Sequence, residues 1–190
     1  GSFIVKGFFT TESEECGSVT IFGGKITARG GGKNATGYGP GFGNDGTHAG
    51  EVSIRGGTVT ANGNGGVRGL AKLRISGGTV IVDGLIADIE ECSSVEISGG
   101  TVASSSITAG TNVFTGGSVC LTSVSPAPTD GTDVLERLTV TGLTANAAIR
   151  LSGDGLAGYG TNGITADAEG KVYLWLPPKA PISFTADGAA

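Results

Sequence analysis

The chain is poor in the residues that most site chemistry needs. Among 190 residues there is no methionine, one tryptophan, one histidine and three cysteines, and aromatics make up 6%. The lone His48 cannot anchor a zinc site, and no Cys-x-x-Cys pair or His-rich cluster supplies metal-ligand spacing. Cations are scarce too: 12 Lys and Arg stand against 17 Asp and Glu, a net charge of −5. That balance argues against a duplex nucleic-acid binder, which needs clustered cations to neutralise phosphates, and against an anionic membrane surface as partner. No run of 18 apolar residues exists, so no helical membrane insertion is expected. No signal-peptide pattern opens the chain, and Gly1-Ser2-Phe3 reads like a mature or excised start. The expectation is a piece of a longer chain. Long helical periodicity is missing as well, residues 83–91 being the nearest attempt, and the reading is all-β.

What the chain has is glycine, 37 residues of it, together with abundant Val, Ile and Thr. The every-third-residue period of collagen is absent, and an apolar fraction of 38% is too high for disorder. Glycine doublets sit between short alternating apolar runs. Val52-Ser53-Ile54-Arg55-Gly56-Gly57-Thr58-Val59-Thr60 is one copy, and Leu73-Arg74-Ile75-Ser76-Gly77-Gly78-Thr79-Val80-Ile81 is the next. Further copies surround Gly23-Gly24 and Gly99-Gly100, with a degenerate fifth at Gly116-Gly117. The first glycines, at 23, 56, 77, 99 and 116, are separated by 33, 21, 22 and 17 residues. A period of 21–22 residues means stacked units.

Alternation within each run directs Val52 and Ile54 one way and Ser53 and Arg55 the other, as a strand requires. The doublet is a corner, where glycine tolerates a bend that a β-carbon resists. Two strands, the corner and a third short segment make one coil. Stacked at about 4.8 Å, coils would align Ile21/Ile54/Ile75/Ile97 and Ile26/Val59/Val80/Val102 as internal columns. The predicted fold is a right-handed parallel β-helix over residues 1–124. A β-sandwich competes, but does not explain like residues kept in register at a constant interval. Residues 125–133, with Pro126 and Pro128, read as a connector. Residues 134–190 hold a handful of short strands, too few for a stable core alone, and are expected to cap the exposed strand edges of the last coil.

Cys16 and Cys92 occupy equivalent positions, each after a Glu-Glu pair, in a column that continues through Ala49 and Leu70. They read as buried small hydrophobes several rungs apart, too far for a disulfide, and Cys120 is read likewise.

The longest interval carries the insertion 30–46, and insertions in repeat arrays tend to become loops on one face. Tyr38 and Phe42 could stack a sugar ring there, with Asn44 and Asp45 as polar partners. The other reading is an irregular coil with an aromatic folded inward as a plug. Trp175 is a further glycan-stacking candidate if exposed. For catalysis, Asp83, Asp88, Glu90 and Glu91 could supply the carboxylate pair of a glycosidase, or read as a solvated acidic corner. The outward column Thr20/Ser53/Arg74/Glu96 pairs a base with one carboxylate, short of what a polysaccharide lyase wants. Oxygen ligands for calcium could gather at Asn44-Asp45-Gly46, Asp130-Gly131-Thr132-Asp133 or Gly153-Asp154-Gly155, though none completes a known calcium pattern and each is first a turn. No other cofactor and no metal centre is expected.

The Gly-Gly-Thr-Val-Thr-Ala type of repeat, the segment 125–131 and the tail from Tyr159 to Pro177, with Lys171-Val172-Tyr173-Leu174-Trp175-Leu176, together resemble glycine-rich β-helix repeat-plus-cap modules on the surface of gut Firmicutes and related bacteria. Gly37-Tyr38-Gly39-Pro40-Gly41-Phe42-Gly43 looks like a divergent version of a glycine loop frequent in those proteins. Some of them are labelled carbohydrate-binding. The resemblance implies a secreted or cell-surface location more than a chemistry. The repeat geometry, the mild acidity and the lack of a catalytic constellation point to a non-catalytic spacer or adhesion module, with weak binding of a glycan or cell-wall polysaccharide as its expected partner contact. A polysaccharide-active enzyme, or a fragment of one, is the alternative.

Overall fold

The computed structural model describes residues 2–6, 18–30, 41–43, 49–152, 164–178 and 185–187. Among them there is no helix. The strands in chain order are β1 (Ser2–Lys6), β2 (Val19–Ile21), β3 (Lys25–Arg29), β4 (Phe42–Gly43), β5 (Ala49–Ile54), β6 (Thr58–Arg68), β7 (Leu70–Ala103), β8 (Ser106–Cys120) and β9 (Ser123–Ser125). These nine form one sheet, and every pairing within it is parallel. The chain is therefore a parallel β-solenoid, and β7 and β8 are long because extended backbone runs through the corners from one face to the next.

The doublets stand in file. The second glycine of each has a positive φ: 87° at Gly24, 85° at Gly57, 83° at Gly78, 80° at Gly100 and 93° at Gly117. A β-carbon on Gly78 would lie 2.6 Å from the Gly57 carbonyl oxygen of the coil before, and one on Gly77 would lie 2.5 Å from the Arg55 carbonyl oxygen. Conformation and space both demand glycine here. The corner is sealed by rung-to-rung bonds: the Thr58 and Thr79 amides donate to the Gly24 and Gly57 carbonyls, each at 2.8 Å.

Each coil contributes three segments, and their inward residues form three columns. Before the corner, Ile21 pairs with Ile54 and Ile54 with Ile75, while Ile97 pairs with Phe114, all buried. After it, Val59 pairs with Val80 and Val102 with Val119, again buried, while Ile26, in register with Phe3 of β1, is half-buried. The third column runs Phe42, Val67, Ile89, Ile107, Val124, each in register with the next. Cys92 is buried among these side chains, and burial, reinforced by the nearby Glu90 and Glu91 charges, pushes its thiol up to about 11. Cys16 lies outside the described residues.

Of the two readings of the insertion's aromatics, Phe42 takes the inward one and not the sugar-stacking one. It is 3% exposed and heads the third column, so its ring plugs the core and offers no platform to a sugar. The end of the insertion thus rejoins the stack as β4. The segment read as a connector does more than connect: the Thr129 amide donates to the Asn112 carbonyl at 2.9 Å, and the Thr129 carbonyl accepts from the Phe114 amide at 2.7 Å. Residue 129 lays a further parallel rung on the stack.

The C-terminal part comprises β10 (Glu136–Val140), β11 (Ala148–Ser152), β12 (Ile164–Thr165), β13 (Val172–Leu176) and β14 (Thr185–Asp187). All of its strand pairs are antiparallel. Its small core gathers Leu143, Ile149, Ile164, Val172, Leu174 and Leu176, and Cys120 of the solenoid packs half-buried against it. In return, Leu135 and Trp175 belong to the solenoid core. The module caps the last coils, as the exposed edges of a solenoid require.

Candidate functional site

The alternation that buries Ile54 and Ile75 turns their neighbours outward. Thr20, Ser53 and Arg74 lie in register across successive rungs, and Glu96, in register with Val113, continues their column toward the cap. Beside it, the residues just before each doublet are Phe22, Arg55, Ser76, Ser98 and Thr115, all exposed. Between these columns lies a groove of about 380 Å³, bounded by Ser53, Arg55, Arg74, Ser76, Glu96 and Thr115 among others. It runs along the stack, so its length grows by about 4.8 Å per coil.

Charge on this face is organised around Glu96. Lys72 Nζ lies 2.5 Å from one carboxylate oxygen and Arg74 Nε 3.1 Å from the other. The hydrogen bond from Lys72, with help from Arg74, outweighs partial burial and holds the Glu96 carboxyl below the usual range. Arg55 makes no ion pair among the described residues, and its guanidinium carbon lies 5.5 Å from the centroid of the Phe22 ring. Phe22 itself is 73% exposed.

The acidic residues between 83 and 91 separate into different environments. Asp83 is exposed. Asp88 is 6% exposed and accepts hydrogen bonds from the Gly84 amide at 2.9 Å, the Ser104 hydroxyl at 3.0 Å, the Ser105 hydroxyl at 2.8 Å and the Ser105 amide. Burial works against its ionisation, but these donors outweigh it, and the Asp88 pKa falls below its ordinary value. Glu91 is held by Arg68 through two bonds of 2.9 Å, and Glu90 lies 3.5 Å from the same guanidinium. Asp88 is thus an ionised strut between turns of the chain, unsuited to donating a proton to a leaving group near neutral pH.

Trp175, named as a stacking candidate if exposed, is 7% exposed, and its indole N–H donates to the Leu121 carbonyl at 3.1 Å. It is an anchor of the cap. Tyr38, Asn44 and Asp45 lie outside the described residues, as do His48 and the calcium candidate 153–155. At the other calcium candidate, one Asp130 carboxylate oxygen accepts the Thr132 and Asp133 amides, each at 2.8 Å, in a self-contained turn. Among the described residues no group of three or more His, Cys, Asp or Glu could hold a metal ion. No described helix is long and apolar enough to cross a membrane.

Fold and face together define a class: an end-capped parallel β-solenoid with a groove along one side that is edged by hydroxyl and charged side chains. No known protein family, curated protein or solved structure matches this chain.

Proposed function

We propose that the chain is a non-catalytic extracellular surface module, a spacer that also holds a glycan along the groove between Ser53 and Thr115. The observation that carries this reading is the groove's alignment with the stack. Hydroxyls at Ser53, Ser76, Ser98 and Thr115 recur on successive rungs, and guanidinium groups stand on two of them. The exposed Phe22 ring lies at the Arg55 end, and the whole suits an extended polymer of polyhydroxylated rings. The resemblance to surface modules of gut bacteria supports the location. The engagement of Asp88, Glu90 and Glu91 in structural contacts favours binding over hydrolysis, since a glycosidase needs two carboxylates about 5–10 Å apart across a cleft.

A glycan array probed with the wild type and with Ser53→Tyr, which fills the groove, tests the binding half of the reading. A wild-type signal lost in the variant supports it. No signal above background would remove glycan binding and leave a spacer alone.

A further inference from the structure

We infer that the glycan taken by this groove is anionic, a uronate-bearing chain whose carboxylate sits on the Arg55 guanidinium. This rests on the glycan-binding reading above and specifies its ligand. Of the three cations on the face, Lys72 and Arg74 both close on Glu96. Arg55 has no carboxylate partner among the described residues, and it lies over Phe22, 5.5 Å from the ring centroid. Contact with the ring biases where the guanidinium rests, so less conformational freedom is lost when an anion arrives. A guanidinium fork matches a carboxylate bidentately, and a charge-assisted pair of this kind is about twice as strong as a neutral hydrogen bond.

Charge on the face agrees. Arg55, Lys72 and Arg74 face Glu51, in register with Lys72, and Glu96, which leaves one positive charge in excess. The chain's overall charge of −5 does not oppose this, because charges further than about 8 Å are largely screened at physiological salt. Ser53 and Ser76 line the same groove as Arg55 and bring hydroxyls to it that can meet a sugar's own. Phe22, exposed at the Arg55 end of the same column, gives the apolar face of a neighbouring ring something to cover.

The test is affinity electrophoresis of the whole chain through gels containing polygalacturonate, its fully methyl-esterified form or single-stranded DNA, with wild type, Arg55→Gln and Arg55→Lys. The inference expects polygalacturonate to retard the wild type with a dissociation constant about tenfold below that for the ester, a difference of about 1.4 kcal/mol. Arg55→Gln should erase the preference, and Arg55→Lys should restore only part of it, because an ammonium lacks the fork. Equal retardation by acid and ester would overturn the inference while leaving glycan binding intact. Retardation by neither polymer, together with a blank glycan array, would overturn both. Equal retardation by the DNA would replace a glycan site with a general polyanion surface. Circular dichroism of the variants, expected to be unchanged because Arg55 is exposed, keeps a folding defect from imitating a loss of binding.

Discussion

Arg137 and Trp175 face each other across the β10–β13 ladder, and their side chains donate to consecutive carbonyls of the solenoid, Thr122 and Leu121. One cross-strand pair thus fastens the cap to the stack. Arg137 also lies over the Tyr173 ring, 5.6 Å from its centroid, and the Tyr173 hydroxyl donates to Asp167 at 3.1 Å. The chain of contacts runs from the last coil to the turn between β12 and β13.

Trp175→Ala is expected to undock the cap, at a cost of about 3–5 kcal/mol. Trp175→Phe keeps most of the apolar contact but strands the Leu121 carbonyl, with a smaller loss of about 1–3 kcal/mol. Urea titrations read both. Trp175 is the only tryptophan, so its emission in the wild type reports docking directly and should shift to the red when the cap leaves the stack.

Asp88 gives a pH dependence of known sign. Its folded pKa is lowered, so its contribution is fully present above the unfolded value near 3.8 and is lost as pH falls through the folded value. Wild type should therefore lose stability more steeply than Asp88→Asn as pH falls below about 3.8. At neutral pH the variant should be less stable by about 1–3 kcal/mol, because the donors on Ser104, Ser105 and Gly84 lose an ionised acceptor. Urea midpoints at several pH values measure both effects.

Arg74→Gln should change unfolding free energy by less than about 1 kcal/mol, since the Arg74–Glu96 pair is solvent-exposed and Lys72 still holds the carboxylate. The same substitution should weaken glycan retention, so stability and binding separate at this position. Thermal melts run beside the binding gels check it.

Cys92 should resist thiol reagents while the chain is folded. Burial raises its pKa to about 11 and leaves little thiolate at pH 8. Alkylation at pH 8 followed by peptide mapping should find Cys92 unmodified in buffer and modified in denaturant.

Two of the three core columns were legible in the sequence because each sits at a fixed distance from a glycine doublet. Ile75 is two residues before Gly77 and Val80 two after Gly78, and the same offsets hold in the other copies. The third column was not, because the path after the second segment varies in length. Val67 follows Val59 by 8 residues and Ile89 follows Val80 by 9, whereas Ile107 follows Val102 by only 5. A register shift between Gly63 and Gly65 absorbs part of the difference. That is why the sequence leaves Phe42 between a loop aromatic and an inward plug, although it stands in a buried file. The acidic segment misled for a related reason: Asp88 is held by Ser104 and Ser105, partners 16 and 17 residues away that no local motif announces. The Arg74–Glu96 pair was visible from the repeat alone. The stacking of Arg55 on Phe22 was not, since it depends on where two side chains turn at the corner.

Everything proposed for the groove depends on the glycines standing one above another. A pair of matched substitutions tests this most directly. Gly78 and Gly142 have nearly the same φ, 83° and 81°, but a β-carbon at Gly142 meets nothing within 4 Å, whereas one at Gly78 meets the Gly57 carbonyl at 2.6 Å. Gly142→Ala should cost about 1–2 kcal/mol, the strain of a left-handed backbone alone. Gly78→Ala should cost at least about 2 kcal/mol more, because neighbouring coils must also part. Equal losses of unfolding free energy in the two variants would mean that no coil passes over Gly78, and the stacked face would go with it.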